Sequence, residues 1–236
     1  MPRAWRLVFS CEHGGNRIPA QYRTCFQHCT DQLRDHRGYD IGALSLARSL
    51  ARQLHAPLEY STVSRLLVDL NRSLHHRALF GSPIRQLDRD CRQTIINRYY
   101  LPYRDRVEGK IANLIRRDNN VLHLSIHSFT GTWHGQLRRA DIGLLYDPAR
   151  LHERCLSRAL ITLLRENNTD LRIRRNYPYR GTADGLTTAL RRKFASSRYA
   201  GIELEINQEL VVQKGARWRA VQALIGHTIA SVISGS

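Results

Sequence analysis

The stretch Val121-Leu122-His123-Leu124-Ser125-Ile126, followed at once by His127-Ser128, has the composition of a buried β-strand. Short apolar runs of this length are typical of strands inside a covered sheet. Residues 5–11 and 201–206 have the same character. The sequence therefore predicts three buried strands, and each of them contains or runs into ionisable residues.

Apolar residues at helical spacing alternate with these and other apolar runs along the chain. Helices are predicted over residues 40–54, 95–115, 151–164 and 218–233, and shorter strands over 57–63, 66–68, 142–146 and 171–173. Strands that alternate with helices predict an α/β fold, in which helices cover both faces of a sheet. The chain shows no repeat and no linker, so residues 1–236 are expected to form one domain. Residues 78–94 and 176–192 are expected to be longer irregular insertions.

Composition narrows the class of protein. Of the 236 residues, 42% are hydrophobic, which excludes a disordered tail, a disulfide-stapled miniprotein and a fibre. Five cysteines at irregular spacing indicate reduced thiols. No apolar stretch approaches the roughly 18 residues that span a bilayer, and the N-terminal residues lack the apolar segment of a signal peptide. A cytoplasmic protein is therefore expected.

The formal net charge of +17 raises the question of a nucleic-acid partner. The basic residues are mostly arginines, scattered singly or in pairs, and the longest basic stretch is Arg191-Arg192-Lys193. A basic arm would need a run of about five or six like charges. A positive surface also suits an enzyme for anionic substrates, because it raises their encounter rate. A nucleic-acid-binding protein remains the alternative from another functional class.

Ionisable residues lie at or near the carboxyl ends of the three buried strands, where ligand sites form in open α/β sheets. His13 follows the first strand, His127 follows the middle one, and the last carries Glu203 and Glu205. Two histidines, a carboxylate and a water form a usual catalytic zinc site, which needs a further carboxylate as base. Strand alternation places both glutamates on one face, and Glu205 is the natural base. The alternatives are polar loop histidines and glutamates paired with arginines.

Two further segments could bind a substrate. Asn71 and Arg72 could together hold a planar carboxylate, and Arg65 could stabilise an oxyanion, although residue types alone favour a helix cap beside a surface arginine. Residues 176–181 combine turn residues and tyrosines, which suit a substrate-facing loop or an ordinary surface loop equally. A structural zinc knot is another alternative, and its candidate ligands are Cys25, His28, Cys29 and His36.

Taken together, these motifs make the chain similar to a known family. It resembles the N-formylglutamate amidohydrolase family, within the zinc-dependent exopeptidase-like superfamily, from about Phe9 to Gln208. The motifs that carry the resemblance are Ser10-Cys11-Glu12-His13-Gly14-Gly15-Asn16, Ser64-Arg65 through Asn71-Arg72, Ser125-Ile126-His127-Ser128, Asn176-Tyr177-Pro178-Tyr179 and Glu203-Leu204-Glu205-Ile206-Asn207-Gln208. The resemblance implies a single-domain three-layer α/β sandwich of zinc-exopeptidase (phosphorylase/hydrolase-like) architecture, with a mixed central sheet and Zn²⁺ at the strand ends.

The superfamily resemblance also implies roles for single residues. Asp69-Leu70-Asn71-Arg72 looks like the stretch by which aspartoacylases and succinylglutamate desuccinylases grip a substrate carboxylate. Their upstream arginine, matched by Arg65, polarises the scissile carbonyl. The resemblance therefore favours substrate binding, rather than a helix cap beside a surface arginine, as the role of Asn71 and Arg72.

The third metal ligand is where the chain departs from those relatives. They take two ligands from a His-x-x-Glu motif, and this chain has Asn16, a poor zinc ligand, at the glutamate position. In the related cell-wall amidases a carboxylate at the start of the next helix is a ligand, and Asp40 has that place here. The implied ligands are His13, Asp40 and His127, with Glu12, His36 and Asn16 as alternatives for the third.

The implied function is zinc-dependent amide hydrolysis of an N-acylated acidic amino acid such as N-formylglutamate, which releases formate and the amino acid. Glu205 would deprotonate the attacking water, and Arg65 would polarise the carbonyl. Four residues are expected to bind the small anionic substrate, namely Asn71, Arg72, Asn176 and Tyr179. The alternative substrate is another N-acyl amino acid or a peptidoglycan fragment.

Overall fold

A β-sheet forms the centre of the computed structural model, which describes residues 4–168, 170–213 and 215–235. The first three residues of the N-terminal segment discussed above thus lie outside the described part. The strands are β1 (Trp5–Cys11), β2 (Leu58–Tyr60), β3 (Asn120–Phe129), β4 (Thr132–Trp133), β5 (Gln136–Leu137), β6 (Ile142–Leu145), β7 (Ile173–Arg175) and β8 (Tyr199–Asn207). β4 and β5 form a separate hairpin, and the others form one sheet.

The main sheet is mixed, and its strand order is β2-β1-β3-β8-β6-β7. The first four strands in this order are parallel, whereas β6 runs antiparallel to β8 and parallel to β7. Ser10 lies opposite Ser125, and His127 lies opposite Glu205. Because parallel neighbours end at the same edge of a sheet, the carboxyl ends of β1, β3 and β8 come together. The prediction of a mixed central sheet is confirmed.

Helices cover the sheet on both faces. They are α1 (Thr30–Arg34), α2 (Ala43–Gln53), α3 (Ser82–Arg85), α4 (Arg89–Ile95), α5 (Leu101–Arg116), α6 (Leu151–Asn167), α7 (Leu186–Lys193), α8 (Gln208–Val212) and α9 (Ala216–Ser234), with a 3₁₀ helix over Ala20–Phe26 and a π-helical turn over Ile96–Tyr100. The apolar residues of α2, α6 and α9 belong to one core cluster, and those of α5 and α7 to a second. The predicted three-layer α/β architecture is therefore confirmed.

The three central strands have one apolar face and one face that becomes polar toward their carboxyl ends. Phe9, Leu124 and Ile202 contribute to the core beneath α2, α6 and α9. The opposite face carries a set of buried polar side chains, namely Ser10, His123, Ser125, His127, Glu203 and Glu205. Buried polar groups are costly unless they are hydrogen-bonded, so this face requires a network of partners. That network forms the floor of the site described below.

Local structure differs from the sequence predictions at three places. No strand forms at residues 66–68. Residues 65–67 form a turn, in which the Leu67 amide donates to the Ser64 carbonyl at 2.9 Å. Leu67 and Val68 are fully buried all the same, so an apolar run could not distinguish a strand from a buried turn. The two expected irregular insertions contain regular structure: α3 lies within the first, α4 begins in the first, and α7 begins in the second.

Within the described residues, no helix combines the length and apolarity needed to cross a bilayer. All five cysteines are free thiols.

Candidate active site

Three side chains that could hold a metal ion meet at the carboxyl ends of β1 and β3. His13 follows β1, His127 lies near the end of β3, and Asp40 precedes α2. The backbone amide of Asp40 donates to the carbonyl of His13 at 2.9 Å, which fixes the two loops against each other. One nitrogen of each histidine and one oxygen of Asp40 all lie within 4.8 Å of one another, and all three residues are buried.

A second carboxylate lies behind each histidine. Nε2 of His13 is 2.7 Å from Oδ1 of Asp69, and Nε2 of His127 is 3.0 Å from Oε2 of Glu12. Glu12 is itself held by the hydroxyls of Ser125 and Tyr103. A carboxylate that accepts the Nε2 proton fixes the tautomer of the ring and makes its other nitrogen a better ligand. Both imidazoles therefore present Nδ1 to the space beside Asp40.

The donor set and one unsatisfied atom fit a divalent cation. Nδ1 of His13 is buried and has no hydrogen-bond partner among the described residues, and Oδ2 of Asp40 lies 3.4 Å away. Nδ1 of His127 lies 2.8 Å from the same oxygen. Two imidazole nitrogens with one carboxylate oxygen form a three-ligand set used by catalytic zinc, which leaves a position open.

The alternatives for the third ligand are placed elsewhere. Glu12 faces Nε2 of His127, on the side away from Asp40. Asn16 is exposed and donates to the carbonyl of Leu33 at 3.0 Å. His36 lies on the cavity wall with its ring against Trp133. Within the described residues, His13, Asp40 and His127 form the only group of His, Cys, Asp and Glu side chains close enough to hold a metal ion. The zinc knot of Cys25, His28, Cys29 and His36 is therefore not formed there.

The charges of this group oppose the effect of burial. Burial alone would raise the pKa of Asp40, but His13, His127 and Arg65 hold it well below its ordinary range. Burial would lower the pKa of His127, but hydrogen bonds to Asp40 and Glu12 raise it well above its ordinary value. Because metal ligation requires neutral imidazoles, binding of a cation would release protons and would strengthen as the pH rises.

Glu205 has the properties of a general base. It is 4% exposed and lies in β8, opposite His127 on one side and Gly143 of β6 on the other. Its Oε2 is buried without a hydrogen-bond partner among the described residues. Burial, together with the charges of Asp40 and Glu203, raises the pKa of Glu205 to about 8. A carboxylate with a pKa near neutrality is suited both to accept and to return a proton.

Glu203 is the second carboxylate on the same face of β8, but its surroundings differ. Its Oε1 accepts a hydrogen bond from the hydroxyl of Thr187 at 2.7 Å. A satisfied carboxylate is less available for proton transfer than the unpartnered one of Glu205. The two glutamates therefore share a face, as strand alternation predicts, yet their surroundings suit only Glu205 to act as a base.

Arg65, Asn71 and Arg72, which were predicted to contact the substrate, line the same space. The guanidinium of Arg65 lies between two carboxylates, with Nη1 3.0 Å from Asp40 and Nη2 3.0 Å from Asp69. Nη1 of Arg72 donates to the carbonyl of Asp184 at 2.9 Å. Oδ1 of Asn71 accepts from the first amide of α7, which fixes its side chain beside His127.

These groups share a cavity of about 440 Å³. Tyr179 lies on its wall, as predicted, and is 45% exposed. Asn176, the other residue expected from that loop, is not part of the wall. Its Oδ1 accepts hydrogen bonds from the amides of Tyr146 and Gly181, so the side chain holds the loop together. The structure thus brings together all the predicted site residues except Asn176.

The sequence did not predict the roles of several residues of the site. Asp69 and Glu12 support the histidines, and Trp133 and Arg138 form part of the wall. Asp69 lies inside a quoted motif, yet nothing in its spacing shows that it contacts a side chain 56 positions away. In the β4–β5 hairpin that carries Trp133, the only residue that indicates a turn in the sequence is the glycine.

The chain matches a known protein family over most of its length. The model of the family described as N-formylglutamate amidohydrolase matches residues 5–212. The chain belongs to the N-formylglutamate amidohydrolase family. The family resemblance inferred from the motifs is thereby confirmed. Among curated proteins, none matches the sequence.

Two solved structures are similar to this member of the family. Gene product Atu2144 from Agrobacterium tumefaciens is 30% identical, with a TM-score of 0.84 over 97% of this chain and 90% of that chain. N-formylglutamate amidohydrolase from Ralstonia eutropha JMP134 is 20% identical, with a TM-score of 0.73 over 99% of this chain and 94% of that chain. Because the Ralstonia protein is only 20% identical, its similarity shows a shared fold and nothing more.

Proposed function

We propose that this protein is a zinc-dependent amidohydrolase, with residues 1–236 acting as one catalytic domain, and that it hydrolyses the amide bond of an N-formylated acidic amino acid such as N-formylglutamate. The observation that carries the proposal is the placement of His13, Asp40 and His127 next to Glu205 within one cavity. A three-ligand group beside an unpartnered carboxylate is the arrangement that metal-assisted hydrolysis needs. Membership of the family supports the substrate class.

The metal site would consist of His13, Asp40 and His127, held in place by Asp69 and Glu12. When bound, zinc supplies a Lewis acid that polarises the acyl oxygen and lowers the pKa of a water. The two supporting carboxylates keep both imidazoles in the tautomer that offers Nδ1.

Glu205 carries the proton. Its buried, unpartnered Oε2 accepts a proton from the attacking water and then gives it to the departing nitrogen. The water oxygen first forms a C–O bond with the acyl carbon, and the C–N bond breaks afterwards, as the nitrogen receives the proton, so formate and the free amino acid leave. Burial raises the pKa of Glu205 to about 8 in the metal-free protein. The positive charge of a bound cation would lower this pKa, so that Glu205 would accept the proton near neutral pH and then return it.

Three side chains orient the substrate. Arg65 is held by Asp40 and Asp69 at the edge of the site, where its charge stabilises negative charge that develops on the acyl oxygen. Asn71 and Arg72 lie on the cavity wall and bind the α-carboxylate. Both side chains are hydrogen-bonded to the backbone of residues 184–186, which fixes their positions before the substrate binds and so lowers the entropic cost of binding.

The free state of all five cysteines supports a reducing compartment, and we place the enzyme in the cytoplasm. A role in nucleic-acid binding rests on net charge alone. Two of the arginines concerned, Arg65 and Arg72, are now part of the catalytic cavity.

Formate release from N-formyl-L-glutamate by zinc-loaded protein tests the function. We expect turnover by the wild type and a loss of about 10²–10⁴-fold in kcat for Glu205→Gln, because the base is removed. The exposed Glu166 provides the matched control, and Glu166→Gln should leave the rate unchanged. Full activity of Glu205→Gln, or no hydrolysis by the wild type, would contradict the proposal.

A further inference from the structure

The outer part of the catalytic cavity is built by a hairpin that the metal group does not require. β4 and β5 are joined by His134 and Gly135, whose φ values of 47° and 75° are both positive. This is the combination of a two-residue type I′ turn, which matches the twist of its strands and gives a tight hairpin. The hairpin holds Trp133 on the cavity wall, where it is 42% exposed and packs edge-on against His36.

Arg138 follows this hairpin and lies among three aromatic rings. Its guanidinium carbon is 5.0 Å from the ring centre of Trp133, 5.2 Å from that of Tyr179 and 6.0 Å from that of Phe129. The backbone amide of Arg138 donates to the carbonyl of Gly131 at 2.7 Å. Each cation–π contact at such a distance is favourable, so the guanidinium is held in a defined position.

The guanidinium of Arg138 keeps free donors beside these rings. Nη1 donates to the hydroxyl of Tyr179 at 3.3 Å, whereas Nε and Nη2 make no hydrogen bond within the described residues. Arg138 forms no ion pair with a carboxylate in that part of the chain, and neither does the nearby cavity residue Arg180. By contrast, the cavity arginines Arg37 and Arg65 are both paired with aspartates. Among the residues that the structure describes, these two cations of the outer cavity therefore have no ion-pair partner.

An arginine that is held in place and keeps Nε and Nη2 free can bind a carboxylate with these two donors, in the plane of the guanidinium. Arg138 and Arg180 line the same cavity as His127 and Glu205, so both groups face the space that a substrate would occupy.

We propose that Arg138, assisted by Arg180, forms a second anion subsite that binds the side-chain carboxylate of the substrate and selects N-acyl derivatives of dicarboxylic amino acids. The inference rests on the proposed function, in which Asn71 and Arg72 bind the α-carboxylate. It assigns the preference for an acidic side chain to residues that lie outside the motifs of the family resemblance.

The test compares N-formyl-L-glutamate with N-formyl-L-glutamine, which has the same shape and a neutral side chain. In Arg138→Met we expect kcat/KM for N-formyl-L-glutamate to fall about tenfold to a hundredfold, the loss typical of a hydrogen bond to a charged group. The loss should be mainly in KM, because the contact is the same in ground and transition states. The value for N-formyl-L-glutamine should stay near that of the wild type. Arg180→Met should show the same selectivity with a smaller loss.

Arg139 supplies the matched control, because it neighbours Arg138 but is exposed and outside the cavity wall. Arg139→Met should leave both substrates unaffected. An equal loss on both substrates in Arg138→Met would show a merely structural role, and no loss would show no role; either result overturns the subsite. If the wild type hydrolyses neither compound, the proposed function fails, and calorimetric binding of the same two compounds then decides the subsite. A wild-type preference for N-formyl-L-glutamate that Arg138→Met abolishes supports it, and equal binding of both compounds overturns it.

Discussion

Replacing Glu205 by glutamine should make the metal-free protein more stable while it makes the enzyme inactive. The carboxylate is 4% exposed and its Oε2 has no hydrogen-bond partner within the described residues. Burial raises the pKa of Glu205 from its ordinary value of 4.5 to about 8, so the folded protein keeps a proton that the unfolded chain loses. Glutamine has nearly the same shape as the protonated acid and never ionises.

The size and sign of the effect follow from linkage. The folded state binds more protons than the unfolded state between pH 4.5 and about 8, so the stability of the wild type falls as the pH rises through this window. One pKa unit corresponds to 1.36 kcal/mol, so the 2.5 units between 4.5 and 7 amount to about 3 kcal/mol at pH 7. The difference should vanish below about pH 4.5 and reach about 5 kcal/mol above pH 8. For a chain of this size, about 3 kcal/mol raises Tm by roughly 6–12 °C.

Urea denaturation of chelator-treated protein at several pH values measures this difference. Wild type and Glu205→Gln should have equal midpoints near pH 4.5, and the variant should become progressively more stable toward pH 8.5. Glu166→Gln, a change of the same chemistry at an exposed site, should follow the wild type throughout. A Glu205→Gln variant that is less stable than the wild type at pH 8, or a difference that does not depend on pH, would refute the assignment of an unpartnered buried carboxylate.

Three further substitutions test the parts of the structure that support the site. Asp69→Asn should weaken zinc binding by about 10–100-fold in a competition titration, because it removes the carboxylate that fixes the His13 tautomer; unchanged affinity would remove that role. Gly143→Ala should cost about 1–3 kcal/mol in denaturation, because its new methyl group would lie 2.0 Å from the Tyr177 carbonyl, and a neutral effect would show that this loop moves easily. Asn207→Ala should cost about 1–3 kcal/mol, because the buried side chain both caps α8 and donates to a buried carbonyl at 2.9 Å; a loss below that range would mean that water replaces both contacts.

The fold was predictable where the sequence has a clear period. The strands at residues 5–11, 121–126 and 201–206 form the parallel centre of the sheet as β1, β3 and β8. The direction of β6 was not predictable, because an apolar run such as residues 142–145 has the same composition in either direction. Residues 66–68 show a related limit: burial without a period does not distinguish a strand from a turn.

The residues of the site that lie at or near the ends of strands were predictable from the sequence. Alternation alone places Glu203 and Glu205 on one face, and His13 and His127 fall at neighbouring strand ends because β1 and β3 pair in parallel. The partners of these side chains come from loops, and their approach depends on tertiary packing. The aromatic surroundings of Arg138, built from three separate segments, therefore had no counterpart in the spacing of the sequence.

The most direct test of the metal-dependent mechanism is a titration of zinc into chelator-treated protein while formate release from N-formyl-L-glutamate is followed. The three-ligand group of His13, Asp40 and His127 predicts that activity rises in proportion to added zinc and saturates at one ion per chain. Activity that is already complete without metal, or that stays absent at any zinc concentration, would contradict the account.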